Sequence, residues 1–347
     1  MQGEGLSYEV LHGDCREVMA GMDANSVDAI VTDPPYFKVK GEAWDRQWDK
    51  PDQFIAWLGD VADEWYRILK PNGSLYCFAS PKMSARVEVM LGERFNVCNH
   101  IVWKKDVGYA PGDKRATAYR ARDTSSFRVF FNYSERIIFA DHYGSDNIAK
   151  GEAGYVAKCD ELRGFLFEPL RAYLEGEWSR AGLTSRDANT ATGTQMAGHY
   201  FTRSQWALPT RENYAKLQAW AGSGYLRREW DELKTEYDEL KTEYEHLRRP
   251  FSVTAEVPYT DVWSFPTVQH YPGKHVCEKP QQLLEHIINA STRPGDTVLD
   301  CFAGSGSTGE ACRTLGRSFI GIEMDEAWAN KARERVTRED LYAGVPA

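Results

Sequence analysis

Thr297-Val298-Leu299-Asp300-Cys301-Phe302-Ala303-Gly304-Ser305-Gly306-Ser307-Thr308 is an apolar run ending in an acid, then a glycine turn, then the start of a helix. The helix continues through Thr308-Gly309-Glu310-Ala311-Cys312. Glycine lets the backbone approach a ligand closely and reach dihedrals that other residues avoid. The helix N-terminus behind it offers free N–H groups to a negative group such as a carboxylate. A second strand, Ser318-Phe319-Ile320-Gly321-Ile322, follows and ends in Glu323. An acid about 20 residues past the glycines suits a pair of ribose hydroxyls. Asp300, Phe302, Ala303, Gly304, Ser305, Gly306, Ser307, Thr308 and Glu323 are the candidate cofactor residues of this segment. Sheets that bind NAD or ATP open in the same way. The segment therefore indicates an α/β sheet with a nucleoside site and leaves the chemistry open.

Asp33-Pro34-Pro35-Tyr36, which follows the run Val27 to Val31, narrows that chemistry. Two prolines fix φ and remove two N–H donors, so the loop presents carbonyls and a carboxylate. Such a surface suits an exocyclic amine rather than a phosphate. An amine on an aromatic ring is a poor nucleophile because its lone pair is delocalised. Hydrogen bonds from it to the Asp33 carboxylate and the Pro34 carbonyl would localise the lone pair toward a methyl donor, with Tyr36 stacked on the ring. Asp33, Pro34, Pro35 and Tyr36 are the candidate catalytic residues, and Asp33 also stands beside the cofactor. The bland alternative is a strand terminated by Pro-Pro, with Asp33 capping a turn.

Further segments extend the pattern: Tyr8-Glu9-Val10-Leu11-His12-Gly13-Asp14-Cys15, Ser26 to Thr32, Ile68 to Leu75, Asn132 to Phe139, and Gly273-Lys274-His275-Val276-Cys277-Glu278-Lys279-Pro280. In this order, catalytic motif first and cofactor motif last, the chain resembles the beta group of DNA amino-methyltransferases. The likeness spans residues 7–145 and 258–338. It implies a Rossmann-like class I methyltransferase sheet and S-adenosylmethionine as methyl donor. Transfer would be a direct in-line displacement onto the amine of a flipped-out base. It also implies cofactor roles for Asp14, Cys15 and Lys279. Asp at position 33 favours adenine N6 as the target, with cytosine N4 as the alternative. RNA or protein amino-methyltransferases usually carry Asn there and place the cofactor motif upstream. A DNA-binding regulator on a dead methylase fold is disfavoured because Asp33, Tyr36, Gly304, Gly306 and Glu323 are intact.

Composition bounds the rest. A chain of 347 residues is long enough for two domains. No signal peptide and no apolar run of transmembrane length are evident. Seven scattered cysteines fit a reducing cytoplasm. They make no Cys-x-x-Cys pair and the histidines show no ligand spacing, so no metal site is expected. The net charge is −9, against the basic balance usual for DNA-binding domains. Charge is uneven, however: residues 101–136 hold eight Lys or Arg against four acids. Lys104, Lys105, Arg120 and Arg122, interleaved with Tyr109, Tyr119 and Phe127, are candidates to hold the phosphates of double-stranded DNA.

Periodicity predicts strands near 7–11, 26–32, 74–79, 97–103, 136–141, 297–301 and 318–322, alternating with helices near 52–69, 82–91, 280–291, 307–315 and 325–338. The catalytic domain is thus expected in two parts, 1–145 and 258–347, around a helical target-recognition insert, 146–257. Within the insert, residues 168–222 resemble a helix-turn-helix set. Gly182 stops its first helix, Thr184 caps the second, Gly193 breaks that one, and Pro209 opens the fourth. The third, Gln195 to Arg203, would be the recognition helix, offering Gln195, His199 and Arg203 to base edges. A repeat, Asp-Glu-Leu-Lys-Thr-Glu-Tyr at 231–237 and 238–244, sets a heptad seam through 226–249. That stripe must pack on something, either the body of its own domain or a second copy in a homodimer.

Overall fold

The computed structural model describes residues 5–106, 132–142, 164–203, 206–253 and 260–338. The chain divides into two compact units, Met1–Gly151 with Arg249–Ala347, and Glu152–Arg248.

In the first unit the strands are β1 (Tyr8–His12), β2 (Val27–Thr32), β3 (Leu69–Ala79), β4 (Asn96–Asp106), β5 (Ser134–Asp141), β6 (Val262–Pro266), β7 (Thr297–Asp300) and β8 (Ser318–Glu323). They form one sheet in the order β1-β8-β7-β2-β3-β5-β4-β6. Pairing is parallel except where β5 runs against β3 and β4. The helices in chain order are α1 (Cys15–Ala20), α2 (Pro51–Ile68), α3 (Ser84–Gly92), α4 (Glu168–Arg180), α5 (Ser185–Thr192), α6 (Arg211–Ala221), α7 (Trp230–Leu247), α8 (Gln281–Ser291), α9 (Ser307–Thr314) and α10 (Glu326–Thr337).

The apolar run Ala29-Ile30-Val31 of β2 is that of a strand covered on both faces. Ile30 packs in a core with Leu58, Trp65 and Leu91, from α2 and α3. Its neighbours Ala29 and Val31 point the other way, into a core with Leu284, Ile288, Ala311 and Ala332 from α8, α9 and α10. This is the layered α/β arrangement that the alternating pattern predicts. Chain direction through the sheet places the site. From β7 the chain passes through α9 to β8, toward the β1 edge, whereas from β2 it passes through α2 to β3, toward the other. β2 and β7 are neighbours, with Ala29 opposite Val298 and Ile30 opposite Leu299. The loops leaving their carboxyl ends therefore diverge and open a crevice, the usual ligand position in such sheets.

Two elements of this unit were not anticipated. The short helix α1 spans six residues, too few for periodicity to show, and is held by the Asp14 carboxylate, which accepts the Arg16 N–H at 2.9 Å. Strand β6 pairs parallel to β4 at the sheet edge, with Trp263 buried and Val262 exposed. Strand β3 also begins five residues earlier than expected, directly after α2.

The second unit is helical about its own core, which includes Leu170, Leu174, Trp178, Tyr214 and Leu217. The expected punctuation appears in α5: Thr184 and Asp187 form a capping box, and Gly193 ends the helix in the left-handed region at φ 72°. The expected recognition helix over 195–203 does not form. Only a single 3-10 turn, Ala197–Tyr200, is present. Thr194 Oγ1 accepts from Met196 N at 3.0 Å and Asn189 Oδ1 from Ala197 N at 3.0 Å at the start of that turn, and the N–H groups of His199 and Phe201 bond three residues back, to Met196 and Gly198. The heptad helix starts at Trp230 rather than Leu226, which lies in the left-handed region at φ 49°. Its seam is covered within this unit. Leu233 and Tyr244 are buried, and Tyr237 stacks on Phe167 with centroids 5.3 Å apart. Leu226, Leu233, Tyr237 and Tyr244 of the stripe thus form a core face of their own unit, while Leu247 at its end is exposed.

Candidate active site

A cavity of about 560 Å³ lies at the carboxyl ends of β1, β2, β7 and β8, lined from the loops that follow them. One wall is the glycine turn. Gly304 and Gly306 stand at φ 52° and 76°, in the left-handed region where glycine is favoured. A Cβ on Gly304 would come within 3.1 Å of the His275 ring, and one on Gly306 within 3.0 Å of Ala332. Both positions thus need glycine for conformation and for space.

Glu323 closes the same wall. Its Oε2 accepts the Gly304 N–H at 2.8 Å and its Oε1 accepts the Asp325 N–H at 2.9 Å. Each oxygen keeps a further lone pair, enough to receive a hydroxyl as well. Asp300 behaves differently from the other candidates. Its oxygens are taken by Thr32 Oγ1 at 3.0 Å, Phe302 N at 3.1 Å and Thr308 Oγ1 at 2.7 Å. Burial pushes its carboxyl up to about 6, against the pull of those donors. Asp300 braces the turn from below. Phe302, Ala303, Ser305, Ser307 and Thr308 line the cavity, and so do Asp14 and Cys15 from the β1 end. His275 covers the turn, edge-on to Trp328, and burial lowers its ring pKa to about 4, leaving it neutral near pH 7. The cavity therefore combines a glycine cradle, a carboxylate with spare acceptor capacity and apolar walls, a set that fits the nucleoside of S-adenosylmethionine.

The other wall is the loop of the candidate catalytic residues. Asp33, Pro34, Pro35 and Tyr36 all line the cavity. Asp33 Oδ2 accepts from Lys279 Nζ, while its Oδ1 is buried and has no hydrogen-bond partner among the described residues. A buried carboxylate oxygen without a donor is costly, and the residue that carries it is one of those lining the cavity. Burial raises the Asp33 carboxyl, Lys279 draws it back down, and Glu135 pushes it up again. Tyr36 is held at both ends. Its N–H donates to Asp45 Oδ1 at 2.7 Å and its hydroxyl to Glu135 Oε2 at 2.9 Å. The buried Asp45 also accepts from Val39 N and Lys40 N, folding the loop over Phe37 and Lys38, both in the left-handed region.

Lys279, expected with the cofactor, lines the cavity and pairs with Asp33. Sequence reasoning missed Glu135 and Asp45. Glu135 carried one signal, an acid close before the apolar run Ile137 to Ala140. Lys105 was expected on DNA phosphates; instead its Nζ pairs with the buried Glu135, and its side chain is only 18 % exposed. Lys104 is exposed, and Arg120 and Arg122 lie outside the described residues. In the second unit Gln195 is exposed, His199 is half-buried, and Arg203 is exposed with an ion pair to Glu168 at 3.2 Å.

Residues 27–334 match a family model of N6/N4 methyltransferases described as DNA methylase. The chain is 46 % identical over 346 residues to the Type II methyltransferase M2.DpnII of Streptococcus pneumoniae, covering 95 % of this chain and 90 % of that protein. It is 27 % identical over 345 residues to the DNA adenine methyltransferase YhdJ of Escherichia coli K12, covering 96 % and 84 %. Among solved structures, the fold resembles the cytosine-N4-specific PvuII DNA methyltransferase with a TM-score of 0.53 at 12 % identity, covering 97 % of this chain and 89 % of that one. It also resembles the M1.HpyAVI complex with SAM, with a TM-score of 0.50 at 19 % identity, covering 95 % and 99 %.

Proposed function

The chain belongs to the N6/N4 DNA methylase family, and on that premise we propose that it methylates the N6 amine of an adenine swung out of duplex DNA, with S-adenosylmethionine as donor. The observation that carries this reading is Asp33, a carboxylate with one unsatisfied oxygen that lines the same cavity as the glycine turn. S-adenosylmethionine supplies an electrophilic sulfonium methyl when bound. Asp33 Oδ1 accepts one N–H of the amine and the Pro34 carbonyl the other, which turns the lone pair out of the ring. Tyr36, pinned through its hydroxyl to Glu135, stacks on the base. Glu323 and the backbone of 302–306 hold the nucleoside of the donor, with Asp14 and Cys15 at its far end.

The adenine assignment draws support from Asp at position 33 and from the adenine methyltransferase YhdJ among the relatives. Extrusion of the base is required because a paired amine cannot reach a buried carboxylate. DNA engagement is assigned to Lys104, Arg120 and Arg122 for phosphates, and to Gln195, His199 and Arg203 of the second unit for base edges. All six cysteines for which a state is described are unpaired, which supports a reducing cytoplasm as the working compartment. Among the described residues no helix is long and apolar enough to cross a membrane. Incubation with tritiated S-adenosylmethionine and plasmid DNA, followed by sequencing that reports modified bases, tests the reading. N6-methyladenine at a fixed sequence is expected. N4-methylcytosine would overturn the adenine assignment, and no transfer to DNA would overturn the whole.

A further inference from the structure

Beside Asp33 lies a second carboxylate that the amine chemistry above does not use as an acceptor. Glu135 enters from the head of β5. Its Oε1 receives Lys105 Nζ and its Oε2 receives the Tyr36 hydroxyl. Lys279 Nζ bonds Asp33 Oδ2 and stands 3.7 Å from Glu135 Oε2, between the two acids. The four charged side chains are 14 % (Asp33), 15 % (Glu135), 7 % (Lys279) and 18 % (Lys105) exposed. Two carboxylates and two ammonium groups leave this set neutral when all are ionised.

Transfer disturbs that balance. The N6–methyl bond forms, the sulfur–methyl bond breaks with its electron pair going to sulfur, and N6 is left with a surplus proton. Asp33 is the acceptor in reach. Once protonated it no longer neutralises Lys279, and an unpaired ammonium away from water is costly. We propose that Glu135 is a positioning residue for methyl transfer, sharing Lys279 with Asp33 and taking the ammonium over when Asp33 receives the proton of the target amine. The proposal rests on the methylase reading given above.

The electrostatics agree. Burial would raise the Glu135 carboxyl, but Lys279 and Lys105 hold it at about 2, so it stays ionised through the neutral range. Lys279 is kept charged by both acids against the effect of burial. The other groups facing Asp33 are Tyr36, Cys77 of β3, Cys277 and Asp300. Burial raises all four: Tyr36, Cys77 and Cys277 stay neutral at neutral pH, while Asp300, raised to about 6, is ionised there but is not among the largest influences on Asp33. Among the described residues Lys279 and Glu135 therefore set where Asp33 titrates.

Removing either one should move the Asp33 titration in opposite directions, which a merely structural role would not do. The Asp33 carboxyl can be followed in the full chain without ligands by isotope-edited infrared spectroscopy, its band assigned by loss in Asp33→Asn. Glu135→Gln should shift the titration down by about one pH unit, and Lys279→Met should shift it up by at least as much. The acidic limb of single-turnover methylation of plasmid DNA should follow both shifts. Glu135→Gln should slow transfer tenfold or more at neutral pH with an unchanged Kd for S-adenosylmethionine, and Glu135→Asp should recover most of the rate. If Glu135→Gln does not fold, Glu135→Asp must lower the titration part of the way and Lys279→Met must raise it. An unmoved titration, or shifts of the same sign, overturns the proposal. Absence of methylation by the unaltered chain would overturn the methylase reading, and the infrared titration would still decide whether the acids share Lys279.

Discussion

The Thr32 hydroxyl donates to Asp300 Oδ1 at 3.0 Å, tying together the ends of two neighbouring strands 268 positions apart in the chain. Thr32 immediately precedes Asp33, the proposed acceptor of the amine, and Asp300 opens the glycine turn. The same carboxylate holds Thr308 at the start of α9 and the Phe302 amide. One buried acid thus sets the distance between the loop that would present the amine acceptor and the turn that would hold the methyl donor. In-line displacement depends on that spacing to a fraction of an ångström.

A pH dependence of stability follows from Asp300. Its carboxyl is raised by burial to about 6, above the unfolded value. The native state therefore holds this proton more tightly, so the stabilisation is complete below the unfolded pKa and is lost as pH rises through about 6. Asp300→Asn removes that titration. Its melting temperature relative to the unaltered chain should increase as pH is raised from about 4 to about 6.5. A difference that stays flat across this range would show that Asp300 does not titrate there.

Asp33 and Tyr36 should separate chemistry from site organisation. Asp33→Ala should leave donor binding within a few-fold and reduce turnover by orders of magnitude, because it removes the acceptor for the amine. Tyr36→Ala should weaken the flipped-base complex by about 1–3 kcal/mol of lost stacking. A stacking role alone would make Tyr36→Phe mild. Its hydroxyl instead donates to the buried Glu135 carboxylate, and a hydrogen bond to a charged group contributes about 1.5–3 kcal/mol. Tyr36→Phe should therefore lower thermal stability measurably while keeping affinity for DNA with a 2-aminopurine target. Unchanged melting would mean that the bond contributes nothing net.

Glu323 has two kinds of partner to lose. Glu323→Ala removes an acceptor for ribose hydroxyls and also frees the amides of Gly304 and Asp325. Donor affinity measured by titration calorimetry should fall about 10- to 100-fold, as expected for a charged acceptor, with DNA affinity little altered. Glu323→Gln keeps one acceptor oxygen and should lie between. Unchanged donor binding in Glu323→Ala would move the ribose contact elsewhere.

How far the sequence carried depends on the range of the forces involved. The strands and flanking helices of the first unit follow from apolar periodicity, which burial on one or both faces dictates locally. Gly193 and Gly304 were legible because their backbone conformations restrict residue type. The cluster of Asp33, Lys279, Glu135 and Lys105 was not, because it is assembled from four segments by sheet pairing and each residue alone looks like an ordinary surface charge. Lys105 illustrates the error: next to Lys104 it reads as part of a basic patch, yet strand alternation turns it inward onto Glu135. The 195–203 segment forms only a turn, in which the His199 and Phe201 N–H groups bond three residues back rather than four, and nothing in its residue pattern announced this.

Specificity and catalysis should be separable by mutation. Arg203→Ala and Gln195→Ala should relax or abolish recognition at single positions of the target sequence, each costing about 1–3 kcal/mol. For Arg203 this includes release from its ion pair with Glu168, which is solvent-exposed and worth little by itself. Lys104→Ala or Arg122→Ala should weaken every sequence alike and flatten the salt dependence by about one unit, because a phosphate contact carries no sequence information. Lys105→Ala should behave like neither. It removes a cation from Glu135, so its defect should appear in turnover and its pH profile rather than in the salt slope of DNA binding. Methylome sequencing of cells expressing each variant, with salt-dependent binding curves, decides among these. If the 195–203 variants keep an unchanged methylated sequence while Lys104→Ala or Arg122→Ala alters it, sequence reading belongs to the segment after Trp103 and not to the second unit.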